Sequence, residues 1–225
     1  MIETFYVLDF DRTLGNVEAS FGLLSEVAHD LLVVDRETLR QARSEVEASS
    51  GSFSVLEFIK EHSPSANLHA LELEYARRAL NIQDELLEPG VHEFMDFLTQ
   101  AKHPFCIMSF GDPVWQTLKI DAAGFRESPT LIVPTKQKGD FIAHWQDKTS
   151  DYFAIPATCF LDGVPRQARS IVLVDDKPAA FVGLPEGARG YIVPSTRRLE
   201  VSNEGFPWSQ VTSVARIDEI IALES

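Results

Sequence analysis

Cysteine is scarce: Cys106 and Cys159 are the only two in 225 residues. Two thiols cannot build a multi-bridge framework, which excludes a disulfide-stapled scaffold and fits a reducing compartment. Cys106 lies in an apolar run, where a buried structural thiol is the ordinary expectation. Long apolar stretches are missing as well. No window approaches the ~20 residues of a membrane span, and Met1-Ile2-Glu3-Thr4 leads straight into an apolar run without the basic segment of a secretion signal. Positive charge is the third shortage, with 20 Lys and Arg against 34 Asp and Glu for a net charge of −14. The adjacent pairs Arg77-Arg78 and Arg197-Arg198 make no patch, so nucleic acid and anionic membranes are repelled. The six histidines include no i, i+4 pair suited to zinc. GxSxG, GxGxxG and GxxxxGK[ST] do not occur, nor do internal repeats. The expectation is a soluble cytoplasmic protein that engages neither nucleic acid nor membrane.

The chain does contain enough apolar residues, 44 % with 24 % charged, to fold around a substantial core. Short, uniformly apolar runs recur at Phe5 to Phe10, Phe105 to Met108, Leu131 to Val133, Ile171 to Val174 and Tyr191 to Val193. Such runs suit strands buried on both faces of a parallel sheet. Helical patterns lie between them. Val91, Phe94, Met95, Phe97 and Leu98 share a face after Pro89-Gly90, while Asp112-Pro113 reads as an N-cap and first helical residue, with Gly124 as the stop. The alternation predicts a doubly wound α/β domain with its ligand site at the carboxyl ends of the strands. Residues 15–88 interrupt it. Leu24, Val27, Ala28, Leu31 and Leu32 have helical spacing, Ser54 and Glu57 form a capping box, and Leu68 to Leu80 reads as a further helix. Ser49-Ser50-Gly51-Ser52 reads as a loop between two helices. The predicted organisation is a core of residues 1–14 and 89–225, with a helical insertion at 15–88 after the first strand.

Carboxylates gather at the predicted strand ends. Asp9 and Asp11 follow the first run, and Asp175-Asp176 ends Ser170-Ile171-Val172-Leu173-Val174. A lone Asp-x-Asp is equally a turn or a cap, but these carboxylates are held at the edge of an apolar sheet. Brought together, they repel one another unless a cation intervenes, and Mg²⁺ suits a site of few carboxylate oxygens completed by water and phosphate. Ser109, after Phe105-Cys106-Ile107-Met108, offers a hydroxyl. A lysine in Thr135-Lys136-Gln137-Lys138-Gly139-Asp140, or Lys148, offers an ammonium, and Lys138 is preferred because Gly139 to Ile142 looks like the start of a helix. Hydroxyl and ammonium groups are what a transferring phosphoryl group needs, since its transition state spreads negative charge over the equatorial oxygens.

The ordered set DFDRTL at Asp9 to Leu14, FCIMS ending at Ser109, a lysine, and IVLVDD ending at Asp176 resembles the haloacid dehalogenase-like hydrolase superfamily over essentially the whole chain. The insertion resembles the family's C1-type cap, LEPGVHEFMDFL looks like the segment re-entering the core, and Arg12 stands where many members carry a small residue. The resemblance implies a Mg²⁺-dependent phosphatase acting on a small phosphorylated metabolite. Asp9 would be the nucleophile, forming an aspartyl-phosphate, and a metal ligand. Asp11 would be the acid and base, with its backbone carbonyl on the metal, Asp175 would bind the ion directly or through water, and Asp176 would join the metal site by holding a coordinated water. Ser109 would hold the phosphoryl group and the lysine would offset its charge. A phosphotransferase or phosphomutase on the same scaffold, or a non-catalytic phospho-switch protein, are the alternatives. The latter is disfavoured because its adjacent acids would follow the first strand, and here they come late.

Overall fold

The computed structural model describes residues 1–32, 34–48, 53–147, 150–193, 206–207 and 209–225. The expected loop Ser49-Ser50-Gly51-Ser52, Lys148 and the Arg197-Arg198 pair lie outside them. The chain divides into two compact units. The first holds Met1–Leu14, Glu88–Ser109 and Glu127–Ser225, and the second holds Gly15–Leu87 and Phe110–Arg126.

The first unit is built on a sheet of seven strands: β1 (Ile2–Leu8), β2 (Phe105–Phe110), β3 (Thr130–Val133), β4 (Phe153–Ile155), β5 (Arg166–Asp175), β6 (Ala188–Ile192) and β7 (Val211–Ser213). Their order is β3-β2-β1-β5-β6-β7, with β4 attached to β5. β1 pairs in parallel with β2 and β5, as do β5 with β6 and β6 with β7, whereas β4 lies antiparallel on β5. The central strands form where side chains can be buried on both faces: Phe5 to Leu8 and Ile171 to Val174 have no accessible surface. From β1 the chain proceeds outward to β2 and β3, then returns to the other flank of β1 at β5. The strand order therefore reverses at the β1/β5 pair, the position where open α/β sheets bind ligands. Register makes Leu8 the partner of Val174, which sets Asp9 beside Asp175 at the carboxyl ends.

The helices of this unit are α5 (Val91–Gln100), α7 (Lys138–Ala143) and α8 (Glu219–Glu224). The seat of α7 is unusually close: a Cβ at Gly139 would lie 2.4 Å from the carbonyl oxygen of Val182. The absence of a side chain there lets the helix start reach the segment following the 3₁₀ turn Pro178–Phe181, and so fixes Lys138.

The second unit is helical: α1 (Val17–Leu32), α2 (Arg36–Ala48), α3 (Val55–His62), α4 (Leu68–Ala79) and α6 (Pro113–Ile120). Side-chain oxygens cap all five, accepting from the backbone amide three residues on: Asn16 from Ala19, Asp35 from Thr38, Ser54 from Glu57, Asn67 from Ala70 and Asp112 from Trp115. Leu24, Val27 and Ala28 of α1 are fully buried with Leu39, Ile59 and Leu71. Phe110–Arg126 joins this unit through specific packing: Tyr75 meets Trp115 edge to face at 5.5 Å, Ser54 Oγ donates to Asp112 Oδ2 at 2.8 Å, and Gln83 donates to the carbonyl of Ala122. The helix begun at Pro113 continues into a wider turn, Asp121–Phe125, in which Gly124 leaves helical geometry at φ +94°. No helix among the described residues is long and apolar enough to cross a membrane.

Candidate active site

Each predicted site residue except Asp11 is buried, and each occupies the end of a central strand or the start of α7. Asp9 follows β1 directly and extends the ladder by donating its amide to the carbonyl of Val174 at 2.9 Å. Asp175 ends β5 and Asp176 follows it. Asp9, Asp175 and Asp176 are 2–4 % exposed, and each contributes one carboxylate oxygen to a group lying within 4.8 Å of one another. Asp11 is half-buried in the turn after β1; its carboxylate is not in that trio, although its charge is felt at Asp9. The metal contact expected of Asp11 is through its backbone carbonyl.

Lys138, the first residue of α7, is the buried counter-charge. Its Nζ donates to Asp9 Oδ1 and, at 2.7 Å, to Asp175 Oδ2. Burial alone pulls an ammonium pKa down, but Asp175 and Asp9 outweigh it and hold Lys138 above its ordinary value. Lys136 is half-buried in the turn before α7. Two neighbours that sequence reasoning passed over also reach the carboxylates. Thr13 Oγ1 donates to Asp9 Oδ2 at 3.4 Å, while Lys177 donates its backbone amide to Asp175 Oδ1 at 2.8 Å and brings its half-exposed Nζ to 3.5 Å from Asp176 Oδ1. Thr13 stands inside DFDRTL and Lys177 directly follows IVLVDD, so adjacency to the acids was the available signal.

The carboxylates are short of positive charge. Burial first, and then Asp175, pushes the Asp9 carboxyl up to about 6 despite Lys138. Asp176 is pushed up to about 7, chiefly by burial and then by Asp9 and Asp175 against the pull of Lys177. Its Oδ1 is buried and receives no hydrogen bond among the described residues, and neither does Ser109 Oγ on β2. Lys177 Nζ stands 3.5 Å from Asp176 Oδ1 without hydrogen-bonding to it, and a buried carboxylate oxygen so placed costs free energy unless something supplies the missing interaction. Three hard oxygen donors at one strand-end crevice fit a divalent cation. The orphaned Ser109 hydroxyl offers a donor on the neighbouring strand.

The arrangement defines an α/β protein with a carboxylate centre at its topological switch point. More narrowly, the fold is that of the haloacid dehalogenase-like hydrolases. A protein of Burkholderia xenovorans described as such a hydrolase is 18 % identical, with a TM-score of 0.61 over 100 % of this chain and 97 % of its own. YfnB of Bacillus subtilis, described as a HAD-hydrolase and bound to magnesium, is 14 % identical, with a TM-score of 0.56 over 99 % of both chains. CbbY of Rhodobacter sphaeroides, in complex with phosphate, is 17 % identical, with a TM-score of 0.51 over 98 % of this chain and 96 % of its own. Dehalogenases also share the fold. At these identities the likeness is one of fold. No protein-family model and no curated protein matches the sequence.

Proposed function

We propose that the chain is a Mg²⁺-dependent phosphatase of small phosphorylated metabolites, working through an aspartyl-phosphate on Asp9. The observation that carries this reading is the buried carboxylate trio, which holds more negative charge than Lys138 and the half-exposed Lys177 offset. Displacing a halide from carbon does not require a cation at this place, nor an acid at Asp11. Phosphoryl transfer uses both. Asp9, Asp175, Asp176 and the Asp11 carbonyl would hold the ion, which when bound draws charge from the phosphoryl oxygens.

An Asp9 carboxylate oxygen bonds to phosphorus as the ester P–O bond breaks, and Asp11 gives its proton to the leaving oxygen. Asp11 then takes a proton from water, whose oxygen attacks phosphorus, breaks the bond to Asp9 and releases phosphate. Lys138 holds Asp9 for in-line attack, Ser109 donates its hydroxyl to a phosphoryl oxygen, and Thr13 steadies the second Asp9 oxygen. The helical segment 15–88 is assigned the choice of substrate.

Phosphate release from a panel of small phosphoesters, with no second acceptor present, tests the reading. Activity should vanish in chelator, return with Mg²⁺, and fall by more than about 10³ in Asp9→Asn, since the amide is no nucleophile. Full turnover in excess chelator, or by Asp9→Asn, would refute it.

A further inference from the structure

Two residues other than glycine adopt positive φ among the described residues: Lys102 at +56° and Arg12 at +64°. Lys102 is accounted for. It is exposed just past α5, where its amide and that of His103 close the helix end, a place at which left-handed backbone is routine. Arg12 ends no helix. It sits in the turn after β1, where Thr13 and Leu14 both donate their amides to the carbonyl of Phe10, at 3.2 and 2.9 Å. Phe10, Thr13 and Leu14 are buried, so the residues on either side impose the conformation. A Cβ at that φ crowds the neighbouring carbonyl, and glycine would hold the same turn without the strain.

What the chain keeps in exchange is a guanidinium beside the acidic centre. Arg12 follows Asp11, is half-buried, and its charge reaches Asp176. A guanidinium is permanently charged, and its planar fork matches a carboxylate or phosphate with two parallel hydrogen bonds. Strain concentrated at one residue of a ligand-binding turn marks a side chain retained for what it binds.

We propose that Arg12 determines specificity, receiving a second anionic group of a small phosphoester whose phosphoryl group is placed at Asp9; this rests on the phosphatase reading above. The second anion is a carboxylate or a phosphate.

Three esters of equal chain length separate the cases: propyl phosphate, 3-phosphooxypropanoate and propane-1,3-diyl bisphosphate. The wild-type enzyme should prefer one of the doubly anionic esters to propyl phosphate by about tenfold or more in kcat/KM, as expected of one charge-assisted contact. Which ester it prefers names the group. In Arg12→Gly that ratio should collapse to within about threefold, chiefly through KM, and Arg12→Lys should keep part of it. The melting temperature of Arg12→Gly should equal or exceed that of wild type, because the strain is relieved. A ratio near one in the wild type, a ratio surviving in Arg12→Gly, or a lower melting temperature that assigns Arg12 a structural role would each overturn the proposal. Absence of phosphate release from all three esters would sink the phosphatase reading instead. Calorimetric titration of wild type and Arg12→Gly with both doubly anionic esters would then decide: a several-fold weaker dissociation constant in the variant for either upholds the role of Arg12, and equal constants for both overturn it.

Discussion

At the scale of single residues the buried acidic centre costs stability, and Asp176 shows it most directly. Its carboxyl is buried, its Oδ1 receives no hydrogen bond, and its pKa in the fold is about 7. An unfolded aspartate titrates near 3.9, so between about pH 4 and 7 the folded state binds the extra proton and stability falls as pH rises. Above pH 7 the full penalty applies. Asp176→Asn should therefore raise the stability of the metal-free protein at pH 8 by about 1–3 kcal/mol, with a smaller gain at pH 5.5. The same variant should lose most of the thermal shift that Mg²⁺ gives the wild type. Melting curves at both pH values, in chelator and in Mg²⁺, would check this, and a destabilised Asn variant at pH 8 would contradict the repulsion argument. The placement of these carboxylates was legible in the sequence because each pair directly follows a short, uniformly apolar run that reads as a buried strand. Their protonation was not legible, since it depends on which strands adjoin.

At the scale of elements, legibility followed apolar continuity. The β1, β2, β3, β5 and β6 runs are unbroken stretches of bulky apolar residues, whereas β4 is interrupted by Ala154, β7 is Val-Thr-Ser and α8 is a single short helix of six residues, too few for a period to register. The partners of α8 are also remote. Glu224 accepts from Tyr6 Oη at 2.9 Å, Tyr191 Oη at 2.6 Å and Arg189 Nε at 2.8 Å, and the first of these spans 218 residues of sequence. Nothing local announces such a contact. The start of α7 was read from Gly139 to Ile142 as a helical onset aiming Lys138 at the strand ends, but the reason for the glycine emerges only in three dimensions. Gly139→Ala would place Cβ 2.4 Å from the Val182 carbonyl oxygen and 2.8 Å from the Leu184 amide, both backbone atoms that cannot rotate away. It should cost about 1–3 kcal/mol and, by displacing Lys138, reduce kcat by more than the unfolded fraction explains. Gly22→Ala, within α1 and with nothing within 4 Å of the added carbon, should be neutral or stabilising. Denaturant unfolding and kcat of the two variants side by side make the comparison.

At the scale of the whole molecule, a net charge of −14 surrounds a site proposed to bind phosphate. The conflict resolves by range. Lys138, Lys177 and the proposed cation act within a few ångströms, where screening is weak, whereas the diffuse negative surface acts over the Debye length of about 30 Å at 0.01 M salt and about 8 Å at 0.15 M. A small phosphoester brings its charge to the site in one compact group and meets little of the surface. A 5′-phosphorylated oligonucleotide carries a charge at every nucleotide, so most of its phosphates face the repelling surface even when its terminus is at Asp9. The proposed phosphatase should therefore prefer a small phosphoester to the oligonucleotide by at least about tenfold in kcat/KM at 0.01 M salt. The gap should narrow severalfold by 0.15 M as the surface is screened, while kcat/KM for the small ester changes little. Measuring both substrates across that range at fixed free Mg²⁺ separates surface repulsion from steric exclusion, because a gap set by access alone would hold constant with salt. An oligonucleotide turned over as efficiently as the small ester at low salt would show that the acidic surface does not exclude polyanions, and the assignment of a small-molecule substrate would fall with it.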